Sequence, residues 1–207
     1  MRKTFYFIRH GQTDLNLKGI VQGRGVNSDL NKNGRQQALA FYNAYKDVPF
    51  DKIYTSTLKR THQTVEHFVN KNNIPREDLI GLDEISWGIY EGQEQNEDIM
   101  KGFAQVISSW KANDLDLRIH NGESPNDVVK RQKEAISYML SNTNEHTVLV
   151  CMHGRALRIL LCHLTGLPVH KMDDFPHTNT ALYKLSYEHG EFKIIDFYNT
   201  KHLERIE

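Results

Sequence analysis

Thr4 to Ile8 are five consecutive β-forming or aromatic residues, and the run stops abruptly at Arg9, His10 and Gly11. A strand with one wet face alternates apolar and polar residues, whereas an unbroken apolar run suits a strand covered on both faces, as in a parallel sheet. At the carboxyl end of such a strand, a cation, an imidazole and a glycine would occupy the crevice where open α/β sheets bind ligands. Arginine offers a planar fork for phosphate or carboxylate, histidine can act as nucleophile or base, and glycine lets backbone come close to a ligand. Taken alone, the triplet also fits a strand that simply ends in solvated residues.

A second apolar run, Thr147 to Met152, ends in His153, Gly154 and Arg155 and leads into a helical stretch from Ala156 to Leu164. Two strands delivering histidine and glycine to one sheet edge are harder to dismiss than one. Between them, Lys52 to Thr55 reads as a short strand feeding a helix through Leu58, Thr61, Val65, Phe68 and Val69, with Ser56 and Thr57 as N-cap candidates. Arg60 falls in the first turn, beside free backbone donors that favour an anion, although a lone arginine there equally suits a solvated helix face. Arg35 to Ala44 has helical spacing, Gln93 to Leu117 has it weakly, and Val128 to Leu140 forms an amphipathic stripe after Ser124 and Pro125. Leu79 to Leu82 looks strand-like, and Thr180 to Tyr187 and Phe192 to Tyr198 flank Gly190 as a hairpin. The pattern predicts an α/β three-layer sandwich with a mixed, mostly parallel central sheet and helices on both faces.

At 207 residues the chain can bury one sizeable core, which predicts a single domain over 1–207. Its 26 basic and 26 acidic residues cancel, so neither nucleic acid nor a membrane surface is the expected partner. Met1, Arg2 and Lys3 run directly into the first strand, and no stretch reaches the roughly 20 apolar residues that span a bilayer; a cytoplasmic protein is expected. Cys151 and Cys162 read as reduced core thiols on different elements. His62, His67, His146 and His202 read as solvated, and without zincin-like histidine spacing or cysteine pairs no metal is expected.

From Asp83 to Gly92, three acids and two aromatics stand among glycines. Glu84, beside bulky apolar neighbours, is the candidate for an acid that holds and releases a proton. In isolation Glu84 and Glu91 also suit exposed loop acids or helix caps. In chain order, Arg9-His10-Gly11-Gln12-Thr13, Asn16, Gln22-Gly23, Ser56 with Arg60, Glu84, Gly88, Glu91, Gly92 and His153-Gly154 together resemble the histidine phosphatase superfamily, the phosphoglycerate mutase-like proteins. The similarity runs along nearly the whole chain, with support from Asn121 to Ser124 and from Asn179.

The resemblance implies a phosphoglycerate mutase-like fold, no cofactor, and a small-molecule phosphate ester as partner; it also allows a homodimer. It implies that His10 accepts the phosphoryl group, that Arg9, Arg60 and His153 hold the phosphate, and that Glu84 protonates the leaving oxygen. Asn16 would stand at the pocket's edge with Gln22 and Gly23 beside it, and Gly154 and Arg155 would complete the substrate contacts. Thr57 departs from a frequent proline and Tyr90 from a commoner tryptophan or leucine. Arg155 is an extra cation that would suit a substrate with a second anionic group, or else a surface helix residue.

To attack phosphorus, His10 needs one unprotonated nitrogen, and neighbouring cations should push its pKa below the usual value of about 6.5. Its other nitrogen is expected to donate to a backbone carbonyl in the Gly11 turn, and His153 is expected to be protonated. Three readings follow: a phosphatase of a small phosphorylated metabolite, a cofactor-dependent phosphoglycerate mutase, and a non-catalytic phosphate-ester or phosphoprotein binding module. The short stretch between Gly92 and Gly122 disfavours the mutase's lid-like insertion. A pure binder needs neither nucleophile nor acid.

Overall fold

The computed structural model describes residues 2–206. Six strands form one sheet in the order β3-β2-β4-β1-β5-β6. They are β1 (Arg2–Arg9), β2 (Lys52–Thr55), β3 (Arg76–Asp78), β4 (Thr147–Met152), β5 (Leu182–Glu188) and β6 (Glu191–Asn199). The first four are mutually parallel, and β5 and β6 run antiparallel as the closing hairpin. The mixed, mostly parallel sheet expected from the sequence is the one observed.

The continuous apolar runs have their counterpart in two cores. Phe5 and Phe7 of β1 and Val148, Val150 and Met152 of β4 face one core, while Tyr6, Ile8, Leu149 and Cys151 face the other. Alternate residues on a strand point to opposite faces, so a central strand must be apolar throughout when both faces are covered. After the short helix α1 (Asp14–Leu17), helices α2 (Lys32–Tyr45) and α3 (Lys59–Asn72) cover the second face with Phe41, Tyr42, Val65 and Phe68. The first face is covered by α4 (Glu97–Lys111), α5 (Pro125–Ser141) and α6 (Gly154–Leu164) through Trp110, Met139, Leu157 and Leu160. Among the described residues no helix is long and apolar enough to cross a membrane. Cys151 and Cys162 are free and buried, and burial pushes both thiols up.

Local expectations fail in three places. The third strand is Arg76–Asp78, and Leu79–Leu82 instead enters a 3₁₀ turn at Ile80–Leu82 that buries Leu82. Neither Ser56 nor Thr57 caps α3; the N-cap is Leu58, without a side-chain cap bond. His202 is buried, its ring against Phe41 with Nε2 3.1 Å from Thr180 Oγ1. Of the other histidines expected in solvent, His146 is exposed, and His62 and His67 are half-buried.

Register brings the strand ends together. Thr55 pairs with Cys151, and Cys151 with Ile8, so Ser56, His153 and His10 all emerge within two residues of one line across the sheet. After His10 the chain passes directly against the first turn of α2. A Cβ on Gly11 would fall 2.5 Å from the Gly34 carbonyl oxygen, and one on Gly34 would overlap the Gln12 carbonyl. Gly34→Ala should therefore destabilise the fold by about 1–3 kcal/mol through overpacking, a fall in Tm of roughly 2–12 °C. A variant that melts with the parent would show that the Gln12 turn is not held against α2.

Candidate active site

His10 is fixed by its backbone as well as its ring. Its N–H donates to Met152 O at 2.9 Å, its carbonyl accepts from Asn179 Nδ2 at 2.9 Å, and the next amide, Gly11 N–H, donates to Thr64 Oγ1 at 2.9 Å. Its Nδ1 lies 2.7 Å from Gly11 O. A carbonyl oxygen can only accept, so Nδ1 carries the proton, and the neutral ring keeps its lone pair on Nε2. Burial, and then the charges of Arg60 and Arg9, push the His10 pKa well below its ordinary value.

His153 follows β4, its ring centroid 5.1 Å from that of His10. Arg60 Nε lies 3.2 Å from His153 Nδ1, and a guanidinium can only donate, so Nδ1 is an acceptor. The proton sits on Nε2, which donates to Ser56 Oγ at 2.7 Å. Ser56 Oγ lies 3.0 Å from Thr61 Oγ1, which donates to Leu58 O at 2.8 Å, so a directional chain fixes the tautomer. The expectation of a protonated His153 is corrected: both nitrogens are committed in the neutral form, and burial followed by Arg60 hold its pKa well below the usual value. Ser56 is free for this task because it does not cap α3, and Thr57 is taken by Asp83, which accepts from its N–H and its Oγ1 at 2.9 Å each.

The cations are therefore arginines. Arg60 is fully buried; beyond His153 it donates from Nη1 to Val26 O at 2.6 Å and from Nη2 to Gly23 O at 3.3 Å. Desolvation brings its pKa to about 10, still charged at neutral pH. Arg9 Nη1 lies 3.4 Å from His177 O, while its buried Nε has no partner among the described residues. Gly154 lets Arg9 and His177 close in, because a Cβ there would meet His177 Cδ2 at 2.7 Å and Arg9 Nε at 3.3 Å.

Glu84 sits at the amino end of α6, whose N-cap residue His153 makes no side-chain cap bond. Its carboxylate accepts from Ala156 N at 2.8 Å, Arg155 N at 3.1 Å and Ile85 N at 2.9 Å. Arg131 of α5 holds the segment from behind, donating to the carbonyls of Gly81, Asp83 and Glu84 at 3.0, 2.9 and 3.1 Å. Glu91 has a similar bracing task, accepting from Gly25 N and Trp87 N at 2.8 Å each.

Arg9, His10, Asn16, Gln22, Glu84, Gly154 and Arg155, together with Arg158 and His177, line a pocket of about 290 Å³, whereas Arg60 and His153, both expected to hold the phosphate directly, are fully buried behind it, with both His153 nitrogens already bonded. Asn16 is also tied to Thr13 in a capping box, and Gln22 donates to Thr13 Oγ1 at 2.7 Å. Gly23 is corrected: it lies behind the pocket, its carbonyl on Arg60 and its Cα against Glu91. Sequence reading missed Ser56 as the partner of His153, the brace Arg131, and the lining pair Arg158 and His177. Only Arg158 left a signal, standing one helical turn beyond Arg155. Among the described residues no group of three or more histidines, cysteines and acids is arranged to hold a metal ion.

The chain is 30% identical over 177 residues to a 2,3-bisphosphoglycerate-dependent phosphoglycerate mutase of Bartonella tribocorum, covering 81% of this chain and 84% of that protein. It is 28% identical over 171 residues to the adenosylcobalamin/alpha-ribazole phosphatase of Escherichia coli, covering 82% and 83%. Among solved structures it superposes on Bacillus stearothermophilus YhfR with a TM-score of 0.86 at 27% identity, covering 97% and 99% of the two chains. Residues 5–200 match the family model of the histidine phosphatase superfamily (branch 1), and the chain belongs to that superfamily.

Proposed function

We propose that the protein is a phosphomonoesterase of a small phosphorylated metabolite, working through a phosphohistidine on His10 Nε2. The observation that carries this reading is the pair of fixed tautomers: His10 presents an unprotonated Nε2 beside two arginines, and His153 presents Nδ1 with Arg60. Phosphoryl transfer spreads charge over three equatorial oxygens, so preorganised donors around them are the main catalytic lever. Arg9 and Arg60 supply the positive charge, with Asn16 and Gln22 at the rim.

In the first half-reaction the Nε2 lone pair forms the N–P bond, the P–O bond to the leaving group breaks, and Glu84 gives its proton to the departing oxygen. Seating a dianionic phosphate beside a carboxylate brings like charges together, and the pair holds one proton between them. In the second, water attacks phosphorus, Glu84 takes its proton, and the N–P electrons return to Nε2. One carboxyl serves both steps because they mirror one another. The mutase relatives give a second reading, in which the same phosphohistidine passes its phosphate to a phosphoglycerate alcohol rather than to water. The reading requires no metal and no cofactor.

Hydrolysis of p-nitrophenyl phosphate in the presence of a chelator, with stoichiometric release of inorganic phosphate, tests the reading. His10→Ala should lower kcat by ~10³-fold or more and abolish acid-labile, alkali-stable phosphate labelling of the protein. Labelling of the alanine variant would remove His10 as nucleophile, and isomerisation of phosphoglycerate primed by a bisphosphate would favour the mutase. Glu84→Gln should slow the release of alcohol in the first, phosphorylating turnover of alkyl phosphate esters by roughly 10²–10⁴-fold while sparing the first-turnover burst of p-nitrophenol from p-nitrophenyl phosphate, whose leaving group needs little protonation; equal losses in the two bursts would deny Glu84 the acid role.

The neutral histidines make a separate prediction. Their depressed pKa values keep both rings deprotonated as pH falls through 6.5, so ¹⁵N spectra of the free protein at pH 6 should show His10 protonated on Nδ1 alone and His153 on Nε2 alone. An imidazolium at either position at that pH would contradict the geometry.

A further inference from the structure

Arg155 and Arg158 lie one turn apart at the start of α6 and line the same pocket as His10, yet the chemistry above uses neither. Their guanidinium groups make one hydrogen bond each, both from Nη1 and both to the same oxygen, Asp173 Oδ1, at 2.7 and 2.6 Å. Each side chain is only 11% exposed, and each Nε is buried with no partner among the described residues. Buried donors without acceptors are costly, and two buried cations on a single carboxylate oxygen are only half neutralised. Lys111 Nζ, 3.6 Å from the other oxygen of Asp173, adds a third positive charge.

The pair is also held rigidly. The Arg155 guanidinium carbon stands 5.9 Å from the ring centroid of Trp87 and 5.8 Å from that of Trp110, within cation–π range. His177, on the same pocket wall, has its pKa pushed down to about 3 by burial and then by Arg158, Arg9 and Arg155, so it stays neutral and leaves the positive field to the arginines.

We propose that Arg155 and Arg158, braced by Asp173, form a second anion site that binds an oxyanion on the leaving group, so that the preferred substrates are phosphate esters carrying a second acidic group. This rests on the phosphatase reading, because the alcohol released is what carries the acid. The planar forks of two arginines match carboxylate and phosphate oxygens alike.

The test compares kcat/KM for acidic esters with their uncharged counterparts. The pairs are 2-phosphoglycolate against ethyl phosphate, 4-carboxyphenyl phosphate against phenyl phosphate, and propane-1,3-diol bisphosphate against propyl phosphate. In at least one pair the acidic ester should be preferred by tenfold or more, and which pair responds separates a carboxylate from a second phosphate. Arg155→Met and Arg158→Met should each shrink that preference roughly ten- to hundredfold, the loss of one hydrogen bond to a charged group, with Arg155→Lys in between. The uncharged partner is the internal reference, since a merely structural loss slows both members equally.

Turnover without any preference, or a preference that both variants retain, overturns the second anion site and leaves the phosphatase reading standing. So does a preference for phenyl phosphate over its carboxylated relative with no acidic preference in the other two pairs, which would assign the leaving group to the neighbouring groove of about 590 Å³ along Val21, Ile99, Met100, Phe103 and Ile107. If no ester is hydrolysed, the phosphatase reading fails instead. The site is then decided by calorimetric affinity for 2-phosphoglycolate against ethyl phosphate, with and without Arg155: equal affinities reject it.

Discussion

Four arginines gathered around two imidazoles are the constraint on which the rest of this structure depends. Arg9, Arg60, Arg155 and Arg158 all carry pKa values lowered by desolvation, which is the signature of cations drawn out of water before any substrate anion arrives. Such a cluster is costly to fold, and the surrounding chain offsets the cost with carbonyls and carboxylates. The Gly23 to Val26 loop turns two carbonyls onto Arg60, and Asp173 stands between Arg155 and Arg158. Neutral histidines follow from the same constraint. Burial and then the charges of Arg60 and Arg9 disfavour an imidazolium at His10, so the ring stays unprotonated beside the arginines.

Helix α6 is where the separate demands meet. Its first residues follow β4 directly, so its free amides open onto the sheet edge that carries His10. A helix amino end attracts a carboxylate through its orphan donors. Glu84 takes that place, and through Arg131 the position of its backbone is tied to α5. Glu84 is thus placed by a helix end, whereas His10, the proposed nucleophile, is placed by strand register.

Much of this was legible in the sequence because it is local. The apolar runs of β1 and β4 needed only their own composition to be recognised, and their terminal residues had to lie at the sheet edge. What escaped was decided by distant partners. Ser56 and Thr57 look like caps, but His153 and Asp83 take their hydroxyls. The strand at Arg76 is charged because it lies at the sheet's edge, where pairing needs only backbone, while the apolar Leu79 to Leu82 turns inward. His202 reads as a polar terminal residue and is buried by aromatic neighbours from α2. Asp173 and His177 sit in a segment with no motif. Nothing in the sequence alone says that His177 lines the pocket or that Asp173 braces its arginines. The protonation of His153 differs from expectation for a related reason: a phosphate's charge calls for a cation, and only the direction of Arg60 Nε reveals that the ring must accept.

Chemistry and selection therefore come from different parts of the fold. His10, the proposed nucleophile, and His153 follow directly from strands paired in the sheet, where a shift of one residue would move their rings to the other face. Arg155, Arg158, Asp173 and His177 come from the flank of α6 and the segment after it, where a side chain can change without disturbing strand register. On the phosphatase reading, a pocket built this way can keep one phosphoryl-transfer apparatus while the alcohol released is chosen by a few side chains on a single wall. The relatives, which include both mutases and phosphatases, have the variety that such a division permits. Had the discriminating cations been mounted on β1 or β4, every change of substrate would have put the nucleophile at risk.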